Sequence, residues 1–379
     1  MEASILKEFL ETIERLVREE LVPAEEETIA SDRVSERIRG LLRDLGLYGM
    51  TVPEEYGGLG MTSAEEVEVL FRLCFASVAY RNLLGTNNGV GSGALLAVGS
   101  AEQKQKYLPE IAAGRIVTAF AITENDSGSD ASSLRTQARK VEGGWQINGV
   151  KRFITNAPEA QLFTVLARSS ERPGASGISA FLVERNTPGI SIGSPEKKMG
   201  QQGSHVADVI LSDVFVSDSS MLGGEGEGLK LAMRLVNRGR LTIAAASVGV
   251  AERALHEALQ YAIQRRQFGS RIADFQLVQA LLADSRAEIA AAKALVRETA
   301  GRHSAGEDIQ LDASCAKMFA SEMAGRVADR AVQIHGGMGY MVGTVAERLY
   351  RDARLFRIYE GTTQIQQITI AKQMLRQLG

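Results

Sequence analysis

The stretch Thr118-Ala119-Phe120-Ala121-Ile122-Thr123-Glu124-Asn125-Asp126-Ser127-Gly128-Ser129-Asp130 is where this 379-residue chain changes character. A short apolar, strand-like run breaks off into hydroxyls, small residues and carboxylates, after a long segment patterned as helices. Residues 1 to about 117 predict helix after helix, beginning with Ile5, Leu6, Phe9, Leu10, Ile13 and Val17 at helical spacing. Ser63-Ala64-Glu65-Glu66 and Ser100-Ala101-Glu102-Gln103 read as capping boxes, in which a hydroxyl and a Glu or Gln reciprocally satisfy the free N–H groups of a helix start. Pro53 to Gly60 reads as a Gly-rich loop between two helices. Beyond residue 118, β-branched and aromatic runs at Gln161 to Ala167, Ile178 to Glu184 and Val206 to Val216 are separated by Gly, Pro, Asn and Ser, the pattern of a β-rich insert. Leu222 to Gly228 (LGGEGEG) reads as its flexible exit.

Helical periodicity then returns. Val248, Leu255, Leu259 and Ala262 mark one amphipathic helix, and Val278, Leu281, Leu282, Ser285, Ile289, Ala292 and Val296 a second. Phe319, Met323, Val327, Ala331 and Ile334 mark a third, ended by the left-handed freedom of Gly336-Gly337, and Ile365, Ile368 and Leu375 a fourth. The expected architecture is α+β and multidomain: an N-terminal helical domain (1–117), a middle β-sheet or barrel-like domain (118–226) and a C-terminal four-helix bundle (227–379).

Composition excludes several functions. Hydrophobic residues at 45% and charged residues at 23% describe an ordinary globular protein. A net charge of -3, from 43 basic and 46 acidic residues, is too balanced for nonspecific binding to nucleic acid or a membrane surface. Cys74 and Cys315 are too few and too far apart for a disulfide framework or a zinc site, which points to a reducing compartment, the cytoplasm. The N-terminus lacks a signal-peptide layout, no apolar run reaches bilayer-spanning length, and the scattered His205, His256, His303 and His335 offer no metal site.

Most short motifs have plain readings. Gly189-Ile190-Ser191-Ile192-Gly193 has the letters of a nucleophile elbow, but no helix starts after it, so it reads as a strand. Gly224-x-Gly226-x-Gly228 reads as an interdomain hinge. Met318, Met323, Met338 and Met341 read as bundle filler, and Trp145, beside Gly143-Gly144, sits at a hairpin turn. Two segments carry more. Ala121 to Asp130, with Phe153-Ile154-Thr155-Asn156, offers close backbone approach and hydroxyls to a flat ligand, although read alone it also suits a polar turn after a strand. In Phe356-Arg357-Ile358-Tyr359-Glu360-Gly361-Thr362-Thr363-Gln364-Ile365-Gln366 a carboxylate stands among apolar neighbours, where desolvation would raise its pKa towards that of a general base. Read alone, the same Glu360 suits a helix N-terminal charge.

Together these segments resemble the acyl-CoA dehydrogenase family of flavoproteins, essentially end to end. The markers are the helical, β, helical order, Pro53-Glu54-Glu55-Tyr56-Gly57-Gly58, Ile122-Thr123-Glu124 to Gly128-Ser129-Asp130, Phe153-Ile154-Thr155-Asn156, Arg265-Arg266-Gln267-Phe268-Gly269, Gln333-Ile334-His335-Gly336-Gly337 and Ile358-Tyr359-Glu360-Gly361-Thr362. The resemblance implies FAD as cofactor, an acyl-CoA as substrate and a homotetramer built as a dimer of dimers, with electrons passed to an electron-transfer flavoprotein. It implies that Glu360 removes the α-proton while the β carbon gives hydride to flavin N5, the enolate-like charge being stabilised by the Glu360 N–H and a ribityl hydroxyl. It places Phe120, Ile122, Thr123, Gly128, Ser129, Phe153, Ile154 and Thr155 at the isoalloxazine, with Thr362 and Gln364 as further contacts. Arg265, Gln267, Phe268, Gln276, Gln333, Gly336 and Gly337 fall on the pyrophosphate and adenine side, often supplied by a neighbouring subunit. Ser129, Asn237, Arg240, Tyr359 and Gly361 face substrate, and Thr86 to Gly93 falls at the floor of the acyl pocket. Some members carry their base on the first long C-terminal helix, where this chain has Gly239.

Two departures stand out: Asn125-Asp126-Ser127 replaces the usual Pro-Gly-Ala, and Phe153 the usual Trp. They alter the polarity of the flavin loop and the flank of the ring. The alternatives are an oxidase-like or carrier-protein-linked acyl thioester dehydrogenase of biosynthesis and, from a different class, a non-catalytic helical scaffold.

Overall fold

The computed structural model describes residues 2–378. Helices α1 (Ala3–Leu16), α2 (Glu25–Ser31), α3 (Glu36–Asp44), α4 (Ser63–Leu73), α5 (Val78–Thr86), α6 (Ser92–Val98) and α7 (Ala101–Ala112) open the chain. The apolar stripe of α1 turns Ile13 and Leu16 into a core shared with Ile38, Leu42, Tyr48 and Tyr80, while Ile5, one turn from the end, stays exposed. The capping box of α7 forms on Ser100 and Gln103, as its sequence predicts. That of α4 forms one residue earlier than expected, on Thr62 and Glu65: both Thr62 and Ser63 carry a hydroxyl, and only the first is three residues from Glu65.

The middle strands are β1 (Thr118–Ala121), β2 (Gln137–Val141), β3 (Gly144–Thr155), β4 (Leu162–Arg168), β5 (Ile178–Glu184), β6 (Ile190–Ile192), β7 (Val206–Ser217) and β8 (Met221–Leu222). They form one sheet in the order β6-β7-β3-β2-β4-β5-β8, with β1 pairing in parallel with β4. Ser191 lies within strand β6 rather than on a strand-to-helix turn, so the nucleophile-elbow letters are a coincidence of composition. Strands β4 and β5 are buried on both faces, which is why they read as continuous apolar runs. Phe163, Val165 and Phe181 enter one core of the sheet, and Leu162, Leu166 and Leu182 enter another, shared with Leu95, Leu108 and Leu231 of the helices. The β3–β7 ladder shifts register by one residue between Lys151 and Ile154, and at this bulge Phe153 is exposed.

The last region contains α8 (Gly228–Gln264), the two-stranded ribbon β9 (Arg266–Gln267) and β10 (Ser270–Arg271), α9 (Gln276–Ser304), α10 (Gln310–His335), α11 (Val345–Arg354) and α12 (Thr363–Leu378). The predicted stripes on α9 and α10 bury Ile289, Ala292, Val296, Met323 and Val327. Leu259 on α8 and Ile368 and Leu375 on α12 depart from expectation and remain exposed on the single chain. Helix α11 escaped the periodicity reading: its apolar stripe is short, Ala346, Leu349 and Ala353, and its buried face also includes Arg348 and Asp352. Gly336 ends α10 at φ 58° and ψ -138°, a positive-φ region open to glycine but different from the left-handed helical cap expected there. Gly249 presses α8 onto α4, where a Cβ would come within 2.8 Å of Cys74 Cβ and Phe71 O, and so joins the first helical unit to the last.

Candidate active site

Glu360 stands in the connection between α11 and α12, on a backbone two consecutive residues of which have positive φ: Glu360 at 54° and Gly361 at 89°. For a residue with a Cβ this conformation costs about 1–2 kcal/mol, so its surroundings must impose it. They do so through two fully buried polar side chains. Lys317 Nζ on α10 donates to Gly361 O at 2.6 Å, and Gln366 Nε2 on α12 donates to Glu360 O at 3.0 Å and Gly361 O at 3.1 Å. Thr362 Oγ1 then accepts from Ile365 N at 3.2 Å and starts α12. Among the described residues no acceptor takes the Glu360 N–H.

The carboxylate lies over α8 at Gly239, where a Cβ would be 2.8 Å from Glu360 Oε2. The missing side chain is therefore the room the carboxylate occupies. Burial pushes Glu360 above the usual carboxylate range, against the opposing pull of Arg81, Arg240 and Lys317. Burial also brings Lys317 down to about 8. Arg240, expected to face substrate, is instead buried between α8 and α10, where its Nη1 donates to Asn237 Oδ1 and Ser314 Oγ, each at 3.1 Å. It acts on the site through its charge. Asn237 thereby serves as a partner of Arg240, and Tyr359 packs its ring against buried Phe356 at 6.1 Å.

A pocket opens beside Gly239 between α4, α5 and α8, with apolar walls from Met50, Leu70 and Leu84. The expected floor segment contributes Asn88 and Gly89. Three charged side chains also line it: Arg238, from the stretch Asn237 to Arg240 that the resemblance places towards substrate, and Glu66 and Arg81, which sequence reasoning missed. The usable signal was a Glu in the buried first turns of α4 and an Arg in an otherwise buried run of α5.

The Thr123 and Phe153 segments meet. Arg152 N donates to Thr123 O at 2.8 Å, and Lys151 Nζ, fully buried, pairs with Glu124 Oε1 at 2.7 Å. Glu124 also accepts from Arg135 N at 2.6 Å and Thr136 N at 2.9 Å, so this loop is tied down at both ends. Its pKa is held below the usual range by Lys151 and these donors despite burial, and burial brings Lys151 down to about 8. Phe153, at φ 55° and 55% exposed, presents an aromatic face, with half-buried Thr155 two residues on. Phe120, Ile122 and Thr123 are partly exposed, Ser129 is exposed, and a Cβ on Gly128 would meet nothing within 4 Å. Ile154 differs from the expectation in one respect: its side chain is in the sheet core, leaving only its backbone to a ligand. An exposed ring, hydroxyls and open space at a glycine fit the flat edge and face of an isoalloxazine.

Arg265, Gln267, Phe268, Gln276, Gln333, Gly336 and Gly337 gather elsewhere, where the end of α8 meets the end of α10 through Tyr261 stacked on His335 at 4.3 Å. All seven are exposed, Phe268 by 95%. Thr362 and Gln364 sit with Glu360 at the start of α12.

Three family models match the chain: the acyl-CoA dehydrogenase N-terminal domain over residues 5–115, the middle domain over 119–214 and the C-terminal domain over 226–375. An acyl-CoA dehydrogenase of Bacillus subtilis is 42% identical over 358 residues, covering 94% of each chain. Among solved structures, butyryl-CoA dehydrogenase from Megasphaera elsdenii superposes with a TM-score of 0.95 at 34% identity, covering 99% of both chains. A chain in a structure titled for the electron transferring flavoprotein of Acidaminococcus fermentans gives 0.96 at 36%, again covering 99% of both.

Proposed function

Because this chain belongs to the acyl-CoA dehydrogenase family, we propose that it oxidises the acyl group of a coenzyme A thioester to the 2-enoyl thioester, with Glu360 as the base. The observation that carries the assignment is the Glu360 carboxylate, desolvated and held in the space over Gly239, with a backbone N–H of its own that no acceptor among the described residues engages. Removal of a proton α to a carbonyl needs a carboxylate of raised basicity and a donor for the charge that develops on the thioester oxygen; one residue offers both. Lys317 and Gln366 fix the carbonyls of Glu360 and Gly361, and so hold the positive-φ backbone that carries the base. FAD, when bound, would supply the acceptor for the β hydrogen and so the redox chemistry. Phe153, Thr155, Thr123, Gly128 and Ser129 would hold the ring, and Arg265, Gln267, Phe268, Gln276, Gln333, Gly336 and Gly337 the adenine side.

The exposure of that second group, together with Leu277, Tyr340 and Val342, supports a homotetramer in which a neighbouring copy covers it. We place the enzyme in the cytoplasm, in keeping with its two free cysteines, and take an electron-transfer flavoprotein as its acceptor. No described helix is long and apolar enough to cross a membrane. Anaerobic titration of the FAD-loaded protein with a graded series of acyl-CoA thioesters should bleach the flavin absorbance. A protein that takes up no FAD, or whose flavin no thioester bleaches, would refute the assignment.

A further inference from the structure

The segment that would hold the ring and the segment that carries the base belong to different parts of the fold, the end of β3 and the connection from α11 to α12. A thioester oxidised at this site would lie between ring and carboxylate, so the two cannot touch there, and their spacing must be set from behind. A buried polar chain runs from one segment to the other. It begins at Asn156, directly after Thr155, whose Nδ2 donates to Asn82 O on α5 at 3.1 Å and to Thr86 Oγ1 at 2.9 Å. Asn82 Nδ2 donates in turn to Gln201 Oε1 at 2.8 Å. Gln201, in the connection between β6 and β7, reaches α11 twice: its N donates to Asp352 Oδ1 at 2.5 Å and its Nε2 to Asp352 O at 3.1 Å. Asn156, Asn82, Gln201 and Asp352 are each no more than 4% exposed.

Two further features show that the chain is seated firmly. A Cβ on Gly200 would lie 2.7 Å from Asp352 Oδ1, so the connection rests directly on α11, and from Asp352 the chain runs through fully buried Phe356 to Glu360. Gln201 keeps φ 55°, a backbone that a residue with a Cβ resists, and its bonds to Asn82 and Asp352 hold it there. Apolar packing alone lets two surfaces slide, whereas a buried chain of directional bonds with its members satisfied fixes their separation. We propose that Gln201 is a positioning residue for the oxidation, acting through Asn82 and Asn156 on the flavin segment and through Asp352 on the base. The spacing it sets lets one bound thioester lose its α-proton to Glu360 and its β-hydride to the flavin. This rests on the thioester reading above and adds to it the residue that ties its two halves together.

The test separates the two bond-breaking events in the FAD-loaded protein. Acetyl-CoA has an α carbon but no β carbon, so Glu360 can exchange its α-hydrogens with D2O, read by NMR, while no oxidation is possible. Flavin reduction by whichever acyl-CoA of the graded series bleaches wild type fastest needs both events. In Gln201→Met, reduction at saturating thioester should slow by about tenfold, as for a shift of about half an ångström, with exchange changed by less than about threefold and KM little altered. Asn156→Gly, which suits the φ of 63° at that position, cuts the chain at its other end, should give the same split, and carries the test alone if Gln201→Met does not fold. Because both substitutions cut one chain, the double variant should lower the urea midpoint by less than the sum of the single losses. Equal loss of reduction and exchange, no loss of reduction, or additive urea shifts overturn the proposal and leave the dehydrogenase assignment standing. If no thioester bleaches the wild-type flavin, the assignment itself falls and the proposal with it.

Discussion

Gly239→Ala is the sharpest probe of the site, since it adds one methyl group against the base. The new Cβ would lie 2.8 Å from Glu360 Oε2 and 3.2 Å from its Cδ. Ordinary contact begins near 3.4 Å, so the carboxylate must retreat by about 0.6 Å. A misplacement of about 1 Å at a reacting group costs roughly 100-fold, so a retreat of about half that distance should cost roughly tenfold in kcat. Gly239 lies inside helix α8, where Ala is favoured over Gly by about 0.5–1 kcal/mol, so the variant should melt higher unless the contact consumes that gain. Stopped-flow reduction of bound flavin under anaerobic conditions isolates the chemical step, and calorimetry reads the Tm. A slower flavin reduction in a protein at least as stable as wild type is the expected result. An unchanged reduction rate would show that the carboxylate does not work from the position over α8.

Three further outcomes follow from the same geometry. Glu360→Gln should lower the reduction rate by about 10²–10⁴-fold, the range of a lost general base, and raise the Tm. The sign follows from linkage: the folded pKa of Glu360 is raised, so ionisation costs stability as pH rises through it, and the Tm gain should be larger at pH 8 than at pH 5. Lys317→Met removes a positive charge that lowers the pKa of Glu360, so the acid limb of the kcat profile should move to higher pH, and an unmoved limb would refute the coupling. Lys151→Met leaves Glu124 without its cation beneath the flavin loop and should cost about 3–5 kcal/mol in urea unfolding, with weaker retention of FAD by equilibrium dialysis.

The sequence made some of this legible. The stretch Ile358-Tyr359-Glu360-Gly361-Thr362 stood out through its likeness to a family motif, whereas read alone Glu360 suited a helix N-terminal charge. Strand β5 could be delimited as Ile178–Glu184 because burial on both faces leaves an unbroken apolar run. What stayed hidden depends on tertiary placement. Lys317, on the α10 pattern, has the look of a solvated charge, and only the fold shows it fully buried and bonded to Gly361. Arg238 and Arg240 are two residues apart on α8, so one faces the pocket and the other the bundle, a division that no reading of Asn237-Arg238-Gly239-Arg240 could make alone. Arg81 and Glu66 come from different helices and meet only across the cavity.

The two-sided burial of β4 and β5 also bears on how such proteins can be rebuilt. Because Leu162, Leu166 and Leu182 belong to the same core as Leu95, Leu108 and Leu231, the sheet is a party wall rather than a detachable cassette. Grafting this unit alone from one relative to another would expose an oily face on both fragments, so chimeras of this scaffold should tolerate crossovers only where the matching helical surface travels with the strands.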